Sequence, residues 1–288
     1  MKLSIIIATY KRAYLLREAL FSVINQSFTD FECLVIDDDF DAESERIVSE
    51  IAAKDKRFTY HKRPSSHQKG LPGCRNFGLS LANGDWIHFV DDDDLLHPLH
   101  FDLKFNAVQK FPRANYIVSK LVGFTNADLL PEAHVTDETA PLTNILQDYL
   151  TSELRIYSCA VLWQKEIFEN HLFDESLKFS EEWDLYWRIF STEIQGVALN
   201  AELYYRRQHE DSNSGRFLNR NKTEIADYIK TRNNAVNELV RLKLMNETLW
   251  RYFWKFSKKW KSKSMRDVLL SNSYKTMNKT IAKCLWHL

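Results

Sequence analysis

Asp91-Asp92-Asp93-Asp94 sets four carboxylates in succession directly after the strand-like segment Asp85-Trp86-Ile87-His88-Phe89-Val90. Carboxylates crowded at the end of a buried strand repel one another, so at neutral pH they take up protons or recruit a cation. In an extended segment residues two apart face the same side, which lets Asp91 and Asp93 reach one ligand while Asp92 points elsewhere. An all-oxygen donor set selects a hard divalent cation, Mn²⁺ or Mg²⁺. Asp94 is expected to cap a helix that starts near Leu95. A second acidic cluster, Asp37-Asp38-Asp39 with Asp41, follows the apolar run Phe31 to Ile36. Two strands thus deliver carboxylates from their C-terminal ends, the edge at which open α/β sheets bind ligands.

The elements that must position these groups follow from periodicity. Leu3 to Ala8 is apolar but for Ser4 and rich in Ile, as fits a strand covered on both faces. Leu15, Leu16, Ala19, Leu20, Val23 and Ile24 recur at helical spacing, and with the strand Phe31 to Ile36 they complete a right-handed βαβ unit. A helix around Ile47 to Ile51, a short strand Phe58 to His61, a helix Gly73 to Leu81 closed at Asn83-Gly84 and the strand Asp85 to Val90 continue the alternation. Up to about Pro98 this is an α/β half of Rossmann character. Beyond it, Tyr116 to Phe124, Cys159 to Trp163 and Val197 to Tyr205 read as strands, and Asn144 to Leu150 and Glu181 to Phe190 as helices. From Ser214 the chain turns helical and basic.

Four segments in order carry a resemblance: Ser4-Ile5-Ile6-Ile7-Ala8-Thr9-Tyr10-Lys11-Arg12; Val35-Ile36-Asp37-Asp38; Gly73-Cys74-Arg75-Asn76-Phe77-Gly78 running to Asp91-Asp92-Asp93-Asp94; and Phe173-Asp174-Glu175 followed by Glu181-Glu182-Trp183-Asp184-Leu185-Tyr186-Trp187-Arg188. Together they resemble the inverting nucleotide-sugar glycosyltransferases of family 2, which have the GT-A fold, over Lys2 to Ser214. The resemblance implies a mixed-sheet catalytic domain over residues 1–215, with a nucleotide-binding half (1–98) and an acceptor half (99–215). Residues 216–288 would then be a C-terminal helical extension.

The resemblance also assigns roles. Ala8, through its backbone, and Tyr10 would contact a uracil, with Thr9 between them in an otherwise ordinary strand-to-helix loop. An ionised Asp38 only accepts hydrogen bonds and suits the imide N–H of that base. Arg75 would lie at the nucleotide, stacking on a base or forking onto a phosphate. Asp93 would be the firmest metal ligand, with Asp91 and Asp92 supporting metal, ribose or donor sugar. Glu182 would be the base that takes the acceptor hydroxyl proton. The usual Glu-Asp pair reads Glu181-Glu182 here, which lengthens the base by a methylene, and Asp184 is its reserve. His209, with Ser212 and Ser214, matches a His-x-x-Ser-x-Ser loop whose histidine would touch metal or donor phosphates or else close the loop. Trp163 and Trp183 are candidate acceptor-sugar platforms, or core residues. A nucleotidyltransferase or a non-catalytic nucleotide-sugar or glycan binding protein would share many of these features.

Composition bounds the rest. The chain has 288 residues with 39 basic and 39 acidic side chains, yet from Arg216 onward it carries 17 Lys or Arg against 5 Asp or Glu. The interleaved stretch Leu249 to Lys261 fits either an amphipathic helix on an anionic membrane surface or a helix packed on the catalytic domain. No nucleic-acid-binding module accompanies it. Cys33, Cys74, Cys159 and Cys284 lack zinc-site or redox spacing and are expected to be reduced. The start is too short an apolar run for a signal peptide and no stretch reaches bilayer length, so the expected location is cytoplasmic, peripheral at the inner face of the plasma membrane if the tail binds lipid. The expected partners are a nucleotide-sugar donor and a glycan or lipid-linked acceptor.

Overall fold

The computed structural model describes residues 2–208 and 222–276, so His209, Ser212 and Ser214 lie outside the described residues. The chain runs β1 (Leu3–Thr9), α1 (Ala13–Ile24), β2 (Phe31–Asp37), α2 (Ala42–Ala52), β3 (Phe58–Lys62), α3 (Leu71–Leu81) and β4 (Trp86–Asp91). It continues with β5 (Leu95–Leu96), α4 (His100–Lys110), β6 (Tyr116–Phe124), β7 (Thr139–Pro141), α5 (Ile145–Leu150), β8 (Val161–Gln164), α6 (Glu181–Phe190) and β9 (Gly196–Arg207). Three further helices are α7 (Lys222–Arg241), α8 (Glu247–Lys259) and α9 (Lys263–Thr276).

All the described strands join one mixed sheet in the order β3-β2-β1-β4-β8-β6-β9-β5, with β7 on β9. β3, β2, β1 and β4 are parallel, as the βαβ reading requires, and β8 turns the sheet antiparallel against β4. In register, Ala8 faces Ile36 on one side and Asp91 on the other. The two acidic clusters therefore flank the end of β1, and the expected mixed α/β architecture is observed.

Alternate residues of β1 serve opposite cores. Ile5 and Ile7 pack with Leu16, Leu20, Val48, Phe101 and Phe105 of α1, α2 and α4. Ile6 packs on the other face with Cys74 and Leu79 of α3 and with α6. Gly78 permits the approach of α3, because a Cβ there would sit 2.5 Å from Ile6 Cγ2. The three C-terminal helices join that same core through Ala235, Leu239, Leu249, Trp250, Phe253, Phe256, Met265 and Leu269. Trp250 is 3% exposed and Phe253 fully buried. This corrects the membrane-insertion reading of the tail: its aromatic face is occupied by the protein's own core, while Lys255, Lys258, Lys259, Lys261 and Lys263 remain exposed. Among the described residues no helix is long and apolar enough to cross a membrane.

Two elements depart from expectation. No helix starts at Leu95; a two-residue strand does, pairing Leu95 with Tyr205 and Leu96 with Tyr204. The helix begins at His100 with Leu99 at its N-cap, so Asp94 caps nothing. α4 was hidden because it buries His100 and Lys104, whose Nδ1 and Nζ reach the carbonyls of Leu203 and Ala160 at 2.7 Å. Polar residues at core positions break the apolar stripe that marks a helix.

Candidate active site

Asp91 to Asp94 form a turn, with Asp94 N–H reaching Asp91 O at 3.3 Å, rather than an extended segment. The pairing of side chains changes accordingly. Asp92 and Asp93 share Arg12, whose Nη1 is 3.5 Å from Asp92 Oδ1 and 2.9 Å from Asp93 Oδ2. Asp91, Asp94 and the Cys159 thiol instead converge, with ligand atoms within 4.8 Å of one another. The end of β9 clamps the turn: Tyr204 Oη accepts from Asp91 N–H at 3.2 Å, Arg207 N–H donates to Asp94 Oδ1 at 2.7 Å, and Arg207 Nε reaches Asp93 O at 2.8 Å.

The turn carries more carboxylate than the local guanidinium groups neutralise. Burial pushes Asp92 up to about 6, against the opposing Thr9 hydrogen bond. Burial raises Asp91, with Arg75 opposing, and raises Asp94 well above the carboxylate range with help from Asp91 and Asp93. A hard divalent cation would supply the missing charge; the turn converges Asp91 with Asp94, while Asp93 is held by Arg12. Cys159 does not suit such a cation, since burial holds its thiol protonated.

Arg75 comes from α3 and is 2% exposed. Its Nη1 donates to Glu182 Oε1 at 2.7 Å, and its Nη2 to Asp91 Oδ1 at 3.0 Å and Ser158 Oγ at 3.1 Å. It is thus an internal bridge between the acidic turn and the candidate base, with Phe89 and Phe173 beside its guanidinium. A base or phosphate would have to displace those bonds, so the expected stacking role does not fit this position. Glu182 stands in the first turn of α6, where the helix dipole favours a carboxylate. Its Oε1 also accepts from Ser158 Oγ, while Oε2 has the long 3.4 Å contact with Ser158 N–H. The side chain is 30% exposed.

Around the other end of β1, Asp38 Oδ1 accepts from Arg63 Nε at 2.6 Å and from Gly70 N–H at 2.9 Å. Asp37 is internal to the loop, taking Asp39 N–H, Asp41 N–H and Tyr60 Oη, and Asp41 caps α2. Thr9 is buried and donates to Asp92 Oδ2 at 2.7 Å, which removes its hydroxyl from a ligand. Ala8 lies beside Asp91, and Tyr10 is 44% exposed, with Lys69 Nζ 4.9 Å and Lys11 Nζ 5.3 Å from its ring.

Residues 4–171 match the family described as glycosyl transferase family 2. The chain belongs to that family. Among its relatives are the minor teichoic acid biosynthesis protein GgaB of Bacillus subtilis, 25% identical over 86% of this chain and 29% of that protein. Another is the GalNAc(5)-diNAcBac-PP-undecaprenol beta-1,3-glucosyltransferase of Campylobacter jejuni, 37% identical over 33% of this chain and 30% of that one. The glycosyltransferase chain thus spans less than a third of the length of these relatives. S. aureus TarS 1-349 in complex with UDP-GlcNAc superposes with a TM-score of 0.68 at 20% identity, covering 88% of this chain and 70% of that one. That likeness gives this family 2 glycosyltransferase the GT-A fold.

In the folded glycosyltransferase the two tryptophans take the core alternative, and the reserve carboxylate Asp184 is engaged elsewhere. Trp163 is fully buried in the core and cannot present a face to a sugar. Trp183 is covered by the Arg232 guanidinium, 3.8 Å from its ring centre. Asp184 pairs with Arg188 at 2.9 Å and lines a groove of about 680 Å³ with His171, Asn234 and Asn237, apart from the Asp91 and Glu182 cluster. Ser158, Arg63 and Tyr204 hold the site without any motif to announce them. Glu181 has a further claim: burial and the neighbouring Glu182 push its carboxyl up to about 7.

Proposed function

We propose that this family 2 glycosyltransferase moves a sugar from a nucleotide diphosphate donor, UDP-linked, to a hydroxyl of a cell-surface glycan with inversion at the anomeric carbon. The observation that carries the reading is the continuous contact path from Asp91 through Arg75 and Ser158 to Glu182, which fixes a carboxylate base beside the acidic turn. Relatives named for teichoic acid and undecaprenol-linked glycan synthesis support a polymeric or lipid-linked acceptor, and the UDP-GlcNAc complex of TarS supports the donor class. The catalytic machinery falls in residues 1–215, and the described helices α7 to α9 form a basic extension whose exposed lysines meet an anionic membrane surface through charge alone.

In this reading Glu182 Oε2 takes the acceptor proton as the acceptor oxygen bonds to the anomeric carbon, and the bond to the diphosphate breaks with its electron pair leaving on UDP. Arg75 and Ser158 hold Oε1 and so aim Oε2. Asp91 and Asp93 would hold Mn²⁺ or Mg²⁺, which when bound neutralises charge on the leaving diphosphate. Tyr10 and the Ala8 backbone lie against the uracil, and Asp38 Oδ2, opposite the oxygen held by Arg63 and Gly70, accepts its imide N–H.

Calorimetry checks the base pocket. Asp38→Ala is expected to weaken UDP by about 10- to 100-fold, the range for a hydrogen bond to a charged group, while leaving inorganic pyrophosphate nearly unchanged. Equal losses for the two ligands would place Asp38 outside the pocket.

A further inference from the structure

Arg12 is set differently from the other arginines around the acidic turn. Arg75 is buried and pinned by three partners. Arg207 is tied to Glu18 and to the Asp93 carbonyl. Arg12 is 33% exposed, and its guanidinium contacts run to Asp92 and Asp93. It also occupies the N-cap of α1, after Lys11 in the left-handed region at φ 53°. A cation beside a helix N-terminus works against the helix dipole and the unpaired N–H groups there. The acidic turn holds the side chain in that unfavourable place, and an anion arriving at the same N-terminus would be attracted by both helix and guanidinium.

A divalent cation on Asp93 and a guanidinium 2.9 Å from the same carboxylate repel each other and compete for its oxygens. We propose that Arg12 is an internal counter-cation: it occupies Asp92 and Asp93 while no donor is bound, competes there with the divalent cation, and turns to the donor diphosphate when cation and nucleotide enter. The inference rests on the cation and donor reading above and adds that the two bind in concert because one arginine must leave the carboxylates for both. Coupling of this kind is reciprocal, so the nucleotide tightens the cation by the factor by which the cation tightens the nucleotide.

The test is Mn²⁺ binding to the full chain, followed by electron paramagnetic resonance with and without UDP. Without nucleotide, Arg12→Gln is expected to bind Mn²⁺ about two- to fivefold more tightly than the parent, the range for removing a partly exposed ion pair. The further tightening of Mn²⁺ by UDP should shrink by a similar factor, and Arg12→Lys should restore both quantities toward the parent. Unchanged melting temperatures keep the comparison clean. Mn²⁺ affinity in Arg12→Gln equal to or weaker than the parent, with binding abolished by Asp93→Asn, would leave the cation site standing and overturn the role of Arg12. Absence of Mn²⁺ binding in parent and Arg12→Gln alike would overturn the cation reading and this inference with it.

Discussion

Glu182→Gln is expected to lower sugar transfer by roughly 10²–10⁴-fold, the cost of losing a general base, while donor affinity stays close to that of the parent. The amide keeps the shape of the side chain and can still accept from Arg75 and Ser158, so the loss falls on proton removal. Glu181→Gln should be milder, since the contact path to Asp91 passes through Glu182, and Asp184→Asn milder still, because that carboxylate is committed to Arg188. Turnover measured at saturating donor decides the ranking. A larger loss in Glu181→Gln, with both proteins folded, would move the base one residue toward the N-terminus of α6.

Phe253→Ala should cost about 3–5 kcal/mol of stability in urea unfolding, as expected for a fully buried aromatic side chain. Deletion from Leu249 onward removes Trp250, Phe253, Phe256, Met265 and Leu269 from the core and should abolish cooperative folding. Replacing Lys255, Lys258, Lys259 and Lys261 by Glu should leave stability nearly unchanged and remove any salt-sensitive sedimentation with anionic vesicles. A Phe253→Ala protein as stable as the parent that no longer pellets with vesicles would contradict the packed arrangement and return the aromatic face to the lipid.

The parallel half of the sheet is legible because its strands are mostly apolar and its helices keep a regular stripe, so β1 to β4 and α1 to α3 lie within a few residues of expectation. The second half is harder. β5 and β7 are too short for any periodicity, and α4 hides behind His100 and Lys104 in the core. Within the site, the acidic residues and Glu182 announce themselves by composition and order, whereas their wiring does not. The Asp run folds as a turn, which joins Asp92 to Asp93 and Asp91 to Asp94, because the distant end of β9 supplies Tyr204 and Arg207 to clamp it. Arg75 is drawn inward by two carboxylates that are 16 and 107 residues away in sequence. Trp163 and Trp183 have the composition of a sugar platform, but only packing determines whether an aromatic face is open.

Proton NMR of the reaction with UDP-GlcNAc, Mn²⁺ and water or an added glycan acceptor tests the central claim most directly, because it reads the leaving group and the anomeric configuration together. Release of UDP and first appearance of the sugar in the β configuration from the α-linked donor are expected, with both signals nearly lost in Glu182→Gln. Retained α configuration, or pyrophosphate in place of UDP, would contradict the claim, and so would donor binding without turnover in the presence of a competent acceptor.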